Sequence, residues 1–381
     1  MVMKFIIDDK IPYIQGALEP FGEVFYLPGS KTTPEMVKDA DALITRTRTI
    51  CNEKLLKGSK VRFIATATIG FDHIDTRYCE QAGIRWTNAP GCNSKSVEQY
   101  IASALFVLSQ KMGFPLKGKT IGIVGVGQVG SKVAGICKLF GMNVLLNDPP
   151  RARAEGPDKF VSLEKIKQEA DIITLHVPLN MEGEDATFHL AGEEFFAGLG
   201  RQPVLMNSCR GEVVCNKAVK AALHEGKVAG LILDCWENEP EIDLELLDRC
   251  ILATPHIAGY SKDGKANGTT MSVRAVSRFF KLGIDHWKAE NVELPPETTL
   301  TLDGTGLTEE QILAKAILFT YDIRHDDQAL RKDPSLFEKL RGDYPVRREF
   351  PAFTLFPENA EPATIEKMRG LGFKINKDNG S

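Results

Sequence analysis

The stretch Thr120–Gly130, TIGIVGVGQVG, joins a nearly all-apolar strand to a Gly-x-Gly-x-x-Gly turn. Strands that are apolar throughout lie in sheets covered on both faces. A helix is predicted after the turn, because apolar Val133 and Ile136 recur there at helical spacing. Strand, glycine-rich turn and helix in this order are typical of a dinucleotide-binding unit. The stretch therefore predicts a doubly wound α/β domain.

The residues of this turn have separate predicted parts in holding a pyrophosphate. Gly125 makes the tight turn, Gly127 lets the backbone approach the phosphates, and Gly130 lets helix and strand pack closely. Gln128 and Val129 lie at the helix N-terminus, which supplies free N–H groups and the positive end of the helix dipole.

An acidic residue about 20 positions further on completes the pattern. Asp148 follows the predicted strand at Asn143–Leu146, and its carboxylate can accept hydrogen bonds from both ribose hydroxyls. A carboxylate would also repel a 2'-phosphate, so the sequence favours NAD over NADP. Arg151 is the neighbouring residue that argues for NADP.

The 381 residues exceed what one hydrophobic core usually organises. Strands alternate with helical stretches on both sides of the glycine-rich turn, which indicates parallel sheets. Two long helices, at about Ser96–Lys111 and Lys265–Leu282, are predicted to carry the chain between two domains. The other predicted strands are Lys4–Asp8, Glu23–Leu27, Ala42–Thr45, Phe63–Thr66, Asp171–His176, Pro203–Asn207, Ala229–Asp234 and Ile251–Ala253.

The pattern changes after a linker at Asn291–Glu297 that is rich in Pro and Glu. Thr308 and Gln311 form a capping box for a helix reaching about Tyr321. Short strands at Thr299–Leu302, Phe353–Phe356 and Phe373–Ile375, with helices between them, predict a small α+β domain. The chain is predicted to divide into three domains: residues 1–95 together with 258–285, residues 96–257, and residues 286–381.

Composition excludes several other classes of protein. The net charge of −4 gives no reason to expect a nucleic-acid or membrane partner. The start of the chain lacks the features of a secretion signal, so the eight cysteines are predicted to be reduced thiols in a cytoplasmic protein. Asp72, His73 and Asp75 match no common metal-ligand spacing and are interpreted as turn and capping residues, so no metal is expected.

Three polar stretches each follow a predicted strand of the nucleotide domain and are expected at one cleft. Oxidation of an alcohol by hydride transfer needs a base, a cation for the developing carbonyl, and a group that orients the base. His256, Arg210 and Glu239 can fill these roles. Each residue taken alone also has a structural interpretation: a structural histidine, a surface charge and a turn residue.

Together these stretches resemble the D-isomer-specific 2-hydroxyacid dehydrogenase family, which carries an Arg, a Glu and a His in this order. The resemblance covers roughly Lys4–Leu282 and implies a discontinuous substrate domain beside a Rossmann NAD domain. It also implies NAD contacts from Asp148, Ser208, Cys209, Asp234 and Gly259. Val177 stands where a hydroxyl residue is usual, so only a backbone or packing contact is expected of it.

The substrate is expected to carry a phosphate. Arg46, Thr47, Arg48 and Thr68 follow predicted strands and supply positive charge and hydroxyl donors, while amides near Ile69 and Gly70 suit a carboxylate. The chain closely resembles members of the family that act on a phosphorylated four-carbon 2-hydroxy acid. That similarity implies substrate contacts from Thr47, Thr68 and Tyr260, and a C-terminal domain that forms a homodimer.

Two alternatives stay open at this point. One is a sister dehydrogenase, for example one acting on 3-phosphoglycerate. The other is an NAD(H)-sensing corepressor or scaffold on the same fold, against which the intact trio and the Arg46/Arg48 strip argue.

Overall fold

A computed structural model describes residues 2–376. The chain forms two compact units. The first unit contains the residues up to Asn93 together with Tyr260–Glu293, and the second contains Ser94–Gly259 together with the residues from Leu294 onward. The first unit is therefore discontinuous in sequence.

All strand pairs in the described part of the chain are parallel, which confirms the predicted α/β class. The strands are β1 (Met3–Asp8), β2 (Gly22–Leu27), β3 (Ala42–Thr45), β4 (Phe63–Thr66), β5 (Arg85–Thr87), β6 (Thr120–Val124), β7 (Asn143–Asn147), β8 (Ile172–Leu175), β9 (Val204–Asn207), β10 (Gly230–Leu233), β11 (Cys250–Ala253), β12 (Thr299–Asp303), β13 (Thr354–Glu358) and β14 (Lys374–Ile375).

The α-helices fall between these strands. They are α1 (Pro34–Val37), α2 (Glu53–Leu56), α3 (Thr76–Gln81), α4 (Ser94–Met112), α5 (Gln128–Leu139), α6 (Pro149–Glu155), α7 (Leu163–Glu169), α8 (Glu193–Ala197), α9 (Asn216–His224), α10 (Leu244–Arg249), α11 (Lys262–Phe280), α12 (Glu309–Thr320), α13 (Ile323–Lys332), α14 (Phe337–Gly342) and α15 (Pro362–Leu371).

The first unit has a five-stranded sheet in the order β2-β1-β3-β4-β5. The chain steps from β1 outward to β2 and then returns to β3 on the other side of β1. In such doubly wound sheets ligands bind beyond the carboxyl ends of the strands, at this switch point. The apolar face of α11 covers the sheet, with Val273 and Val276 fully buried against Phe5 and Phe63.

The second unit has a six-stranded sheet in the order β11-β10-β9-β8-β6-β7. Its switch point lies between β6 and β8. The glycine-rich turn follows β6, and Val177 follows β8. Its central strands are buried at nearly every position, in agreement with their almost continuous apolar sequence.

The C-terminal residues build a three-stranded sheet in the order β12-β13-β14. They also enter the core of the second unit, because Leu330 and Phe337 belong to the same buried cluster as Phe195 and Trp236. Asp327 of α13 accepts a hydrogen bond from the Ala253 N–H at 2.8 Å. The structure therefore groups this segment with residues 94–259, and its separate status as a third domain stays a prediction.

Element bounds differ from the predictions where caps or short elements decide them. The helix predicted from Lys265 begins at Lys262, because the Ser261 hydroxyl accepts a hydrogen bond from the Gly264 N–H. The elements β5, α2 and α3 were not predicted, since three to six residues give too little periodicity. The capping box at Thr308 and Gln311 is present as predicted.

No helix among residues 2–376 is both long enough and apolar enough to cross a membrane.

Candidate active site

The glycine-rich turn has little room for side chains at two of its three glycines. Gly125 has φ +87°, and a Cβ there would lie 2.6 Å from the His176 carbonyl oxygen. A Cβ on Gly130 would lie 2.0 Å from the Gly125 oxygen. Gly127 instead faces open space, with no atom within 4 Å of a Cβ. The backbone at Gly127 is thus accessible at the N-terminus of α5, as a phosphate cradle requires.

Asp148, the acidic residue after β7, is hydrogen-bonded to the glycine-rich turn. Its Oδ2 accepts a hydrogen bond from the Val126 N–H at 2.8 Å, and its Oδ1 caps α6 by accepting from the Arg151 N–H. The guanidinium of Arg151 pairs with Glu155 and donates to the Val126 carbonyl. Arg151 is thereby engaged within its own helix and turn, which weakens its case as a 2'-phosphate ligand.

Directly after β9, the Ser208 hydroxyl could make a hydrogen bond to a bound molecule. Ser208 Oγ is buried and has no hydrogen-bond partner among the described residues. Such an atom is costly unless a ligand or water satisfies it. The open Gly127 backbone, the Asp148 carboxylate and this hydroxyl together fit a dinucleotide such as NAD. Cys209 lies beside them, and burial raises the pKa of its thiol to about 11, so it is a protonated packing residue.

Arg210 is held by the side chain of Asn207 at the end of β9. Asn207 is buried and donates to the Arg210 carbonyl at 2.8 Å, while its Oδ1 accepts from the Cys209 N–H. The next residue, Gly211, touches the neighbouring loop, since a Cβ there would lie 1.9 Å from the Trp236 oxygen. The loops that carry Arg210 and Glu239 therefore pack backbone against backbone.

Glu239 and His256 form the predicted pair. Glu239 Oε1 and His256 Nδ1 are 2.5 Å apart, and both side chains are three-quarters buried. Burial raises the pKa of the Glu239 carboxyl, but its hydrogen bond to His256 and the charges of His256 and Arg341 outweigh burial, so the pKa lies below its usual value. The carboxylate is ionised at neutral pH, and Nδ1 of His256 is occupied, which leaves Nε2 for chemistry.

Asp234 holds the loop of His256 in place. It is buried, and its two carboxylate oxygens accept from the Thr254 hydroxyl and from the N–H groups of Ile257 and Ala258 at 2.6–2.9 Å. Burial raises the pKa of Asp234, although these donors and His256 lower it. His256 itself has φ +54°, a strained conformation for a residue other than glycine. The predicted NAD contact of Asp234 thus belongs to a side chain that is already fully engaged with its own protein.

Arg347 supports the same loop from the C-terminal segment. Its guanidinium is buried in its own chain, where it donates to Gln99, to the Ser96 carbonyl and, at 3.3 Å, to the Ile257 carbonyl. It also stacks 3.9 Å from the Tyr321 ring centroid.

The predicted substrate residues lie in the first unit, where all but Tyr260 follow the carboxyl ends of β3 and β4 and Tyr260 precedes α11. Arg46 is half-buried and donates to the Lys10 carbonyl, while Thr47 and Arg48 are exposed. The Thr68 hydroxyl is 2.8 Å from the Gly70 carbonyl, and the Ile69 carbonyl accepts from Asn88. Tyr260 is half-buried. Gly259 is the last residue of the second unit before the chain enters the first.

The structure also shows the surroundings of the residues that the sequence analysis interpreted as structural. Asp75 caps α3 by accepting from the Tyr78 N–H, as predicted, and His73 is buried beside the Thr45 hydroxyl. Within residues 2–376, no three His, Cys, Asp or Glu side chains form a group that could hold a metal ion. All eight cysteines are free thiols, as predicted.

Two positioning residues could not be identified from the sequence: Asn207 and Arg347. Asn207 was predicted only as the end of a strand, although an amide side chain between an apolar strand and a charged residue is a usable signal. Arg347 lies 90 residues beyond Ile257, and no local pattern announces such a contact.

Two family models match the chain. One is described as the D-isomer specific 2-hydroxyacid dehydrogenase, NAD binding domain, and matches residues 94–258. The other is described as a domain of unknown function and matches residues 294–372.

Curated relatives and solved structures agree with the first of these models. An erythronate-4-phosphate dehydrogenase of Bacteroides fragilis is 55% identical over 93% of this chain and 99% of the relative. One from Porphyromonas gingivalis is 42% identical over 97% of this chain and 100% of the relative. The structure of NAD+-bound 3-phosphoglycerate dehydrogenase from Entamoeba histolytica aligns with TM-score 0.63 and 26% identity, covering 77% of this chain and 100% of that one. The structure of D-lactate dehydrogenase from Aquifex aeolicus with NAD and lactic acid aligns with TM-score 0.61 and 28% identity, covering 77% and 99%.

Proposed function

The chain belongs to the erythronate-4-phosphate dehydrogenase family of NAD-dependent 2-hydroxyacid dehydrogenases, and from that premise we propose that it oxidises 4-phospho-D-erythronate. The product is 2-oxo-3-hydroxy-4-phosphobutanoate, on the route to pyridoxal 5'-phosphate. The observation that carries the proposal is the Glu239–His256 contact beside the Arg210 loop, in a chain that matches these relatives over nearly its whole length.

His256 accepts the proton of the C2 hydroxyl through Nε2 as the C–H bond gives up its hydride. Glu239 holds Nδ1, fixes the ring and stabilises the imidazolium that forms. Arg210 binds the substrate carboxylate and polarises the developing carbonyl. Bound NAD+ supplies the hydride acceptor. Gly125–Gly130 would hold its pyrophosphate and Asp148 its ribose, and its site would be lined by Ser208, Cys209, Asp234, Gly259 and the backbone of Val177.

The substrate contacts in this proposal come from the first unit. Arg46, Thr47 and Thr68 bind the phosphate end with Tyr260, and the amides near Ile69 and Gly70 take the carboxylate. Their position at the carboxyl ends of β3 and β4 supports these roles. We further propose a homodimer formed through the C-terminal segment, and a cytoplasmic location.

One assay tests the function. Purified protein is given NAD+ with 4-phosphoerythronate and then with 3-phosphoglycerate, while NADH is followed by its absorbance. We expect kcat/KM to favour 4-phosphoerythronate. Preference for 3-phosphoglycerate would replace the substrate by that of the structural neighbour, and lack of turnover with both would leave the NAD-sensing alternative.

We expect Asp148→Asn to lower the preference for NAD+ over NADP+, measured as a ratio of kcat/KM, about tenfold, the factor that corresponds to about 1.4 kcal/mol. Asparagine removes the negative charge that repels a 2'-phosphate but caps α6 as well as aspartate does. The matched control is Asp158→Asn, which removes an exposed charge of the same unit. An unchanged ratio in Asp148→Asn would separate Asp148 from cofactor choice.

A further inference from the structure

The N-terminal half of α11 lies at the carboxyl edge of the first unit's sheet. The Thr269 hydroxyl donates to the Pro12 carbonyl at 2.8 Å, and Asn267 donates to the Cys92 carbonyl. Between them, a Cβ on Gly268 would lie 2.5 Å from the Ala67 carbonyl oxygen. These turns of α11 therefore pack against the loops that follow β1, β4 and β5. Arg46 and Thr47 follow β3 at the same edge.

Lys265 stands on this part of α11 and makes no ion pair of its own among residues 2–376. Its side chain is half-buried, and its Nζ lies 4.9 Å from the ring centroid of Tyr260. Lys262 pairs with Glu293 at 3.3 Å, but no carboxylate among residues 2–376 makes an ion pair with Lys265. Burying an ammonium group without a partner carries a free-energy cost, which a bound anion would offset.

The pKa of Lys265 reflects both its burial and the positive charges around it. Burial lowers the pKa of Lys265 to about 8, and the positive charges of Arg46 and Lys262 lower it as well, while Glu293 raises it. The like-charged neighbours identify a cationic cluster, Arg46, Lys262 and Lys265, beside Tyr260. Clusters of this kind bind phosphate through charge-assisted hydrogen bonds.

We propose that Lys265 is a phosphate-binding residue that, with Arg46, makes the site specific for phosphorylated 2-hydroxy acids. The proposal deepens the proposed function and rests on it. Arg46 supplies a fixed planar donor and Lys265 a compact charge that can be directed by its stem across the Tyr260 ring. The first unit thereby selects the distal anion of the substrate, while Arg210 and His256 act on the hydroxy acid group common to the whole family.

The test compares one substrate with and without its phosphate. Lys265→Gln is assayed with NAD+ and either 4-phosphoerythronate or erythronate. We expect KM for 4-phosphoerythronate to rise about 10–100-fold, the range for loss of a hydrogen bond to a charged group, with kcat within a few fold of wild type. The kcat/KM for erythronate should stay within about threefold of wild type. Arg278→Gln is the control, since Arg278 lies exposed on the same helix.

A pH series provides a second reading. The Lys265 ammonium loses its proton as pH rises through about 8 in the free protein, so KM for 4-phosphoerythronate should rise between pH 7 and 9.5. Arg46, Lys262, Glu293 and Tyr260 also face this ammonium. The comparison is therefore made with Lys265→Arg, which removes only the titration of Lys265 and should flatten the rise.

Several outcomes overturn the proposal. An equal loss with both substrates would show that Lys265 meets the carboxylate, and an unchanged KM would show that it meets neither anion. If the wild-type protein does not oxidise 4-phosphoerythronate, the proposed function fails separately. Lys265 is then judged with inorganic phosphate by calorimetry, where a wild-type Kd that Lys265→Gln does not weaken rejects the inference.

Discussion

Replacing His256 by asparagine or alanine should lower kcat about 10²–10⁴-fold, the usual loss when a general base is removed. Nε2 of this ring is the proposed proton acceptor, and Glu239 holds the ring through Nδ1 at 2.5 Å. Asparagine is the more informative change, because it tolerates the positive φ of 54° at this position better than most residues. The measurement is the steady-state rate of NADH formation at saturating substrate.

His189 offers a matched control for this prediction. It also has a positive φ, 51°, and it also contacts a carboxylate, with Nε2 2.6 Å from Glu237 Oε1. His189→Asn should therefore remove a comparable His–Glu contact and leave kcat within a few fold of wild type. A near-normal rate in His256→Asn, or an equal loss in both variants, would remove His256 from the proton transfer.

Gly211→Ala should reduce kcat/KM at least about 100-fold and destabilise the fold by about 1–3 kcal/mol, the usual cost of overpacking. The new Cβ would lie 1.9 Å from the Trp236 oxygen and 2.5 Å from the Glu237 nitrogen. Both atoms belong to the backbone, so relief requires the loop of Arg210 or the loop of Glu239 to move. Displacements of about 1 Å at such groups cost about 100-fold in rate.

Turnover and urea unfolding measure the two effects of this change. The control is Gly135→Ala, in the exposed face of α5, where a Cβ meets no atom within 4 Å. That change should keep activity and raise stability by about 0.4–1 kcal/mol, because alanine restricts the unfolded chain. Wild-type activity in Gly211→Ala would mean that the close packing of the two loops does not position the site.

The local elements of the fold could be predicted because their signals are local. Nearly continuous apolar runs gave the central strands of the second sheet, and the turn at Gly125–Gly130 could be predicted from three glycines. Short elements such as β5 and α3 were missed, since their formation depends on neighbours that pack against them. The start of α11 was displaced by the cap at Ser261, a single hydroxyl with a weaker signal than the apolar stripe.

The candidate site divides in the same way. Arg210, Glu239 and His256 could be selected from sequence because each follows a parallel strand, and the ends of parallel strands meet at one edge. The residues that hold these three in position could not be predicted from the sequence. Asp234 was predicted to line the cofactor site, which stays a prediction, and no local pattern predicts that its oxygens also hold the His256 loop. Arg347 is buried beneath the same loop, 90 residues along the chain from the carbonyl of Ile257 to which it donates.

The sequence by itself determined the order of strands and helices along the chain, the glycine-rich turn, and the positions of Arg210, Glu239 and His256 after three strands. These follow from periodicity and from contacts between residues close along the chain. The tertiary structure decided that Glu239 touches His256, that Asp234 and Arg347 hold the loop between them, and that Lys265 makes no ion pair within residues 2–376. The burial and the pairing of a charged side chain depend on which distant residues are brought together. The same residue type in the sequence can be solvated, paired or unpaired in the fold, so the sequence alone does not distinguish these cases.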